Sequence, residues 1–209
     1  MKRVVIAGAG GLGREVFRWL CDGPQCGKAW DVAGYLDDDP LAAQRPLPAP
    51  LLGTISSFQP QPDDRVVLAL GNPRPRKAVA ESLAARGARW LTYAHPTVII
   101  GDRVELGEGC FLCPGSILTC DITIGPCTFF NLGVTIGHDV TVGAFSSVFS
   151  QVDLCGYVTL GEGVTVGSGA RVIPGKTVGA WATIGAGAVV VGNVPAGITA
   201  IGNPARRLR

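Results

Sequence analysis

The sequence predicts a two-part fold: an α/β unit with a short parallel sheet, then a parallel β-helix, in a chain of 209 residues. Three observations predict it. Near the start, a β-branched run closes on a cluster of glycines and opens into an amphipathic stretch. Strand and helix patterns then alternate as far as Tyr93, and from Ile100 onward the apolar period becomes six.

In chain order, Arg3 to Ala9 reads as a strand, Gly8-Ala-Gly-Gly-Leu-Gly13 as a tight turn and Arg14 to Cys21 as a helix. A second strand follows at Val32 to Leu36. Beyond the proline-rich stretch from Pro40 to Pro50, Val66 to Leu70 reads as a third strand, Pro75 to Arg86 as a helix and Trp90 to Tyr93 as a fourth strand. This alternation predicts a parallel sheet with flanking helices.

In the second half, every sixth residue from Ile100 to Val190 is apolar, sixteen positions without a slip, and nine of them are followed directly by Gly. A period of six suits neither an α-helix nor an antiparallel strand. It fits a solenoid of short flat faces joined by tight turns, three hexads to a triangular coil. Val104, Val134, Val140, Val152, Val158 and Val164, each two residues before a column position, fill the same narrow interior.

Composition narrows the function. Apolar residues make up 47% of the chain, charged ones 16%, and there are 30 glycines, which fits a compact protein rich in turns. A net charge of +2 leaves no basic block beyond Arg206, Arg207 and Arg209, so no nucleic-acid partner is expected. No apolar run is long enough for a membrane span and Met1-Lys2-Arg3 opens no signal peptide, so a cytoplasmic protein is expected. The seven cysteines are scattered and read as reduced thiols. Cys110 and Cys113 form a C-x-x-C with no second pair at zinc spacing, so no metal is expected.

The hexad register from Pro96 to the C-terminus resembles that of the hexapeptide-repeat acyltransferases. The opening Val-Val-Ile-Ala-Gly-Ala-Gly-Gly-Leu-Gly-Arg-Glu-Val, Gly34-Tyr-Leu-Asp-Asp-Asp39 and Leu70-Gly-Asn72 are similar to the branch of sialic-acid O-acetyltransferases and nucleotide-sugar N-acetyltransferases. The resemblance implies a Rossmann-like sugar-nucleotide-binding domain over residues 1–94 and a left-handed β-helix acyltransferase domain over 95–209. It also implies acetyl-CoA as co-substrate, a homotrimer, and coils of about 18 residues. The left-handedness comes from the resemblance, not from the period.

Acyl transfer to an amine or hydroxyl needs a base near neutral pH, and the chain has two histidines. His138, in Ile136-Gly-His-Asp139, stands where the family carries its catalytic histidine followed by an acid; His95 reads as a packing residue. With coils of the family's length, His138 stacks between Cys120 and Gly156 at ~4.8 Å per coil. Gly156 then either offers its N–H to the thioester carbonyl or merely makes a turn. On a regular strand Asp139 would face away from His138 unless a turn brings it back. Asn131 matches a family residue that positions groups in the site, or is a left-handed turn asparagine.

The glycine loop favours phosphate on a helix N-terminus. By resemblance Gly8, Gly10, Gly11, Leu12, Gly13, Asp37, Asp38 and Asn72 hold the sugar nucleotide, while Ser147, Gly156, Lys176 and Arg206 face acetyl-CoA. Leu12 and Ser147 replace histidines common in the branch. N-acetylation of a nucleotide-linked amino sugar is the leading expectation. O-acetylation of a sugar of sialic-acid type and a non-catalytic sugar-nucleotide-binding protein are the alternatives.

Overall fold

The computed structural model describes residues 1–208, so Arg209 of the basic cluster lies outside the described residues. The N-terminal sheet has four parallel strands, β1 (Lys2–Ala7), β2 (Trp30–Leu36), β3 (Leu51–Gly53) and β4 (Asp64–Leu68), in the order β3-β2-β1-β4. Val4, Val5, Ile6 and Ala7 are fully buried, as befits a central parallel strand covered on both faces. Helix α1 (Gly11–Asp22) begins inside the glycine cluster, earlier than the pattern of large residues indicates. Helix α2 (Pro73–Ala85) begins at Pro73, with Asn72 as its cap; Pro73 and Pro75 fit because first-turn N–H groups have no partner within the helix.

Two expectations need correction. The proline-rich stretch ends in a strand: β3 follows Pro50 directly and lies at the sheet edge, where proline costs no ladder hydrogen bond. The expected fourth strand, Trp90 to Tyr93, is divided between two sheets. Trp90 makes one bridge to Val66, whereas Tyr93–Ala94 pairs with Phe111–Leu112 of the coil stack.

Each strand of the stack pairs in parallel with the one eighteen residues on, as in Phe129 with Ser147, Thr135 with Asp153 and Thr141 with Thr159. Three sheets of eight, six and five strands form the sides of a triangle. The apolar column is buried throughout from Leu112 to Val190, while in the opening coil Ile100 is exposed and Leu106 half-buried. The final turn is two residues shorter, Thr183 pairing with Thr199, and an antiparallel strand at Arg206–Arg207 closes the stack.

The N-terminal unit packs on the first face. Phe111, Phe129 and Cys113 share a core with Val4, Ile6, Val16 and Leu20. Arg76 of α2 fixes this arrangement: it is 1% exposed and donates to the carbonyls of Leu70, Cys127, Phe145 and Ser146. Burial pulls its pKa down to about 10, so it remains a cation at neutral pH, satisfied by carbonyls alone.

Candidate active site

His138 follows the second-face strand Thr135–Ile136 and stands on the corner leading to the third face. Asp139 takes a left-handed conformation (φ 59°), the turn needed to bring its carboxylate back to the ring. Asp139 Oδ2 lies 2.8 Å from His138 Nδ1. With the proton on Nδ1, the Nε2 lone pair is left free.

Nε2 is directed at Gly156. A Cβ added there would lie 2.7 Å from both Nε2 and Cε1, so only glycine leaves the imidazole its place. The Gly156 N–H donates to no acceptor among the described residues. The Nε2 edge of the imidazole and a glycine whose N–H has no acceptor among the described residues therefore meet on neighbouring coils. Below them, Asp121 pairs with Arg103 at 2.5 and 2.8 Å, and the guanidinium bound to it holds its carboxyl below the usual range. His95 is buried, with Nδ1 2.8 Å from Thr97 Oγ1 and Nε2 3.8 Å from Asp22.

The glycine loop divides its labour. A Cβ on Gly13 would meet the Gly8 carbonyl oxygen at 2.0 Å, so Gly13 allows close packing of α1 on the sheet; one on Gly8 would meet that of Ala69 at 2.7 Å, so Gly8 lets the loop pass close to the end of β4. Around Gly10 and Gly11 there is open space. No side chain caps α1, and the first-turn N–H groups of Gly11, Leu12 and Gly13 face outward with the positive end of the helix dipole.

Other expected site residues are spent within the chain. Asp37 accepts from the N–H groups of Ala9 and Asp39 and from Arg45, which braces the glycine loop. Asp38 is exposed and accepts only from the Ser56 N–H. Asn72 caps α2 through the Arg74 N–H. Ser147 is fully buried and donates to the Gly71 carbonyl, so its hydroxyl faces the N-terminal unit.

Asn131 is not a left-handed turn residue; Gly133 takes that conformation, and Asn131 Oδ1 accepts from the Leu132 N–H one corner away from His138. Lys176 is half-buried one coil above Val158, and Arg206 is exposed at the closing strand. Cys110 joins the coil interior and Cys113 the inter-domain core, so the two thiols point to opposite sides.

A cleft of about 520 Å³ opens between the start of α2 and the coil stack, lined by Asn72, Arg74, Phe149, Thr165, Trp181 and Thr183. The sequence reading missed this cleft, and it missed Tyr157 beside His138. Stepping one coil from Asp139, as was done from His138, leads to Tyr157.

Residues 3–83 match the family model described as the PglD N-terminal domain. The chain is 32% identical to the GDP-perosamine N-acetyltransferase of Escherichia coli O157:H7, covering 98% of this chain and 95% of that one. PerB from Caulobacter crescentus, solved with CoA and GDP-perosamine, superposes with a TM-score of 0.88 at 32% identity over 100% of this chain and 98% of that one. A histidine-to-alanine variant of the Caulobacter enzyme has been solved with the same two ligands. The acetyltransferase domain of PglB from Neisseria gonorrhoeae FA1090 with acetyl coenzyme A gives 0.85 at 27% identity over 99% of both chains. The α/β unit, the left-handed parallel β-helix and the placement of the histidine corner lead to one conclusion: the chain belongs to the hexapeptide-repeat acyltransferases, in the nucleotide-sugar acetyltransferase branch.

Proposed function

We propose that this protein transfers the acetyl group of acetyl-CoA directly to the amine of a nucleotide-linked amino sugar, with His138 as general base. The observation that carries the reading is the pairing of His138 Nδ1 with Asp139 while Nε2 is directed at Gly156. The amine nitrogen attacks the thioester carbon as Nε2 takes its proton. The Gly156 N–H donates to the developing oxyanion. Collapse breaks the C–S bond, and the imidazolium returns the proton to the leaving sulfur, giving the amide and CoA thiol. Asp139 holds the tautomer and stabilises the imidazolium.

On this reading the open N–H groups at Gly10 to Gly13 bind the nucleotide phosphates, with Gly10 and Gly11 leaving room for close approach. Asp38, with one carboxylate oxygen unengaged, meets the base or sugar, and Asp37 acts by shaping the loop. Asn72 and Leu12 border the acceptor, and Asn131 orients groups on the adjoining corner. Lys176 and Arg206 meet the CoA phosphates along the stack, and Ser147 supports that side through Gly71.

The active form on this reading is a homotrimer. Within one chain the glycine loop packs beside the first face, whereas His138 stands between the second and third. A neighbouring copy is needed to bring a loop to each base. Ile99, Ile117 and Leu132, apolar and exposed along and beside the second face, suit burial against that copy. No described helix is long and apolar enough to cross a membrane, and a consumer of acetyl-CoA with this character belongs in the cytoplasm.

The test is release of CoA thiol from acetyl-CoA with GDP-perosamine and a panel of UDP- and dTDP-linked amino sugars. Release that requires a free amine supports N-acetylation; release with hydroxyl acceptors alone overturns it. Mixing His138→Ala chains with glycine-loop variants restores activity only if the site is shared between copies.

A further inference from the structure

Three aromatic residues of the coil stack take the left-handed backbone conformation that bulky side chains avoid: Phe145 (φ 59°), Tyr157 (φ 61°) and Trp181 (φ 61°). The coil corners share that conformation, and two of these three rings are engaged by α2. The Lys77 ammonium lies 5.6 Å from the ring centres of Phe145 and Trp181, and the Arg74 guanidinium lies 4.9 Å from that of Trp181, so both rings receive α2.

Tyr157 has no such partner. Its side chain is 61% exposed, and among the described residues its hydroxyl makes no hydrogen bond. The one ring beside it is the His138 imidazole, edge to face, with centroids 5.0 Å apart and planes at 88°. Its backbone N–H donates to the His138 carbonyl at 2.9 Å, so the two residues move together.

We propose that Tyr157 is a positioning residue for His138: its ring holds the imidazole plane so that Nε2 stays directed at Gly156. The physical need is plain. His138 and Asp139 are both about half exposed, at 52% and 43%, and one hydrogen bond at Nδ1 leaves the imidazole free to swing about that contact. A ring packed at a right angle blocks the swing. Left-handed backbone recurs at the coil corners, as at Asp121, Asp139 and Gln151; what distinguishes Tyr157 is its ring contact with His138. The inference rests on the proposed role of His138 as the base.

The experiment compares wild type, Tyr157→Phe, Tyr157→Gly, His138→Ala and the His138→Ala/Tyr157→Gly double variant in steady-state acetyl transfer. Glycine suits φ 61°, so Tyr157→Gly keeps the fold and its melting temperature. Its kcat falls roughly 10-fold while KM for both substrates stays near wild type, because misplaced reacting groups slow the chemical step. Tyr157→Phe restores the rate, and Tyr157→Asn, also at home in left-handed backbone, repeats the loss. In the His138→Ala background, removing Tyr157 has no further effect.

The proposal is overturned if Tyr157→Gly keeps the wild-type kcat, if it changes only KM, or if it slows the His138→Ala enzyme by the same factor. Failure of the underlying reading looks different: wild type does not turn over, or His138→Ala is as active as wild type.

Discussion

The coil stack buries its core by repetition, whereas the N-terminal sheet borrows a wall. In the stack each coil places aliphatic residues on those above and below, and the interior is complete without other parts of the chain. The four-stranded sheet shares its core with Phe111, Phe129 and Tyr93 of the stack, and its docking is locked by Arg76. A self-sufficient scaffold leaves its corners free for chemistry; the sheet is a guest whose position decides where the acceptor loop sits.

That contrast is broken most forcefully at the lock. Arg76→Met leaves four carbonyls without their donor and is expected to cost about 3 kcal/mol or more, with probes in the N-terminal core lost first in denaturant unfolding. A single cooperative transition at the wild-type midpoint would mean that the sheet stands without the lock.

Within the stack, Leu154→Ala in a middle coil is expected to cost about 2–4 kcal/mol, and Leu106→Ala, in the half-covered opening coil, distinctly less. Equal losses in thermal denaturation would contradict a core that closes only from Leu112 upward.

On the corner, Gly156→Ala drives a methyl group into the flexible imidazole. It is expected to lower kcat by about 10²-fold, with little change in melting temperature. A variant that loses stability along with activity would make Gly156 a turn residue only. Asp139→Asn keeps the left-handed turn and removes the charge, so roughly a 10-fold fall in kcat is expected, with KM for acetyl-CoA unchanged.

Much of this was legible because the stack writes its register into the chain. The unbroken column from Ile100 predicted the coils, and one coil's step from His138 found Gly156. The sequence left Asp139 undecided, because only the backbone turn at φ 59° determines which way the carboxylate faces. Strand Leu51–Gly53 was hidden behind prolines that an edge tolerates. Trp90 to Tyr93 had strand character, but local preference does not say which sheet a strand joins. Asp37 was expected near the sugar nucleotide by resemblance, and its part in bracing the glycine loop was not legible. Its three bonds to Ala9, Asp39 and Arg45 are long-range or turn contacts without a sequence signature.

The most direct test of the central claim is the rate of amine-dependent acetyl transfer by His138→Ala at saturating acetyl-CoA and acceptor, beside calorimetric binding of both substrates. The base role predicts a fall of about 10²-fold or more in kcat with both substrates still bound. A variant within a few-fold of wild type would show that the proton leaves by another route and would remove His138 from the centre of the mechanism.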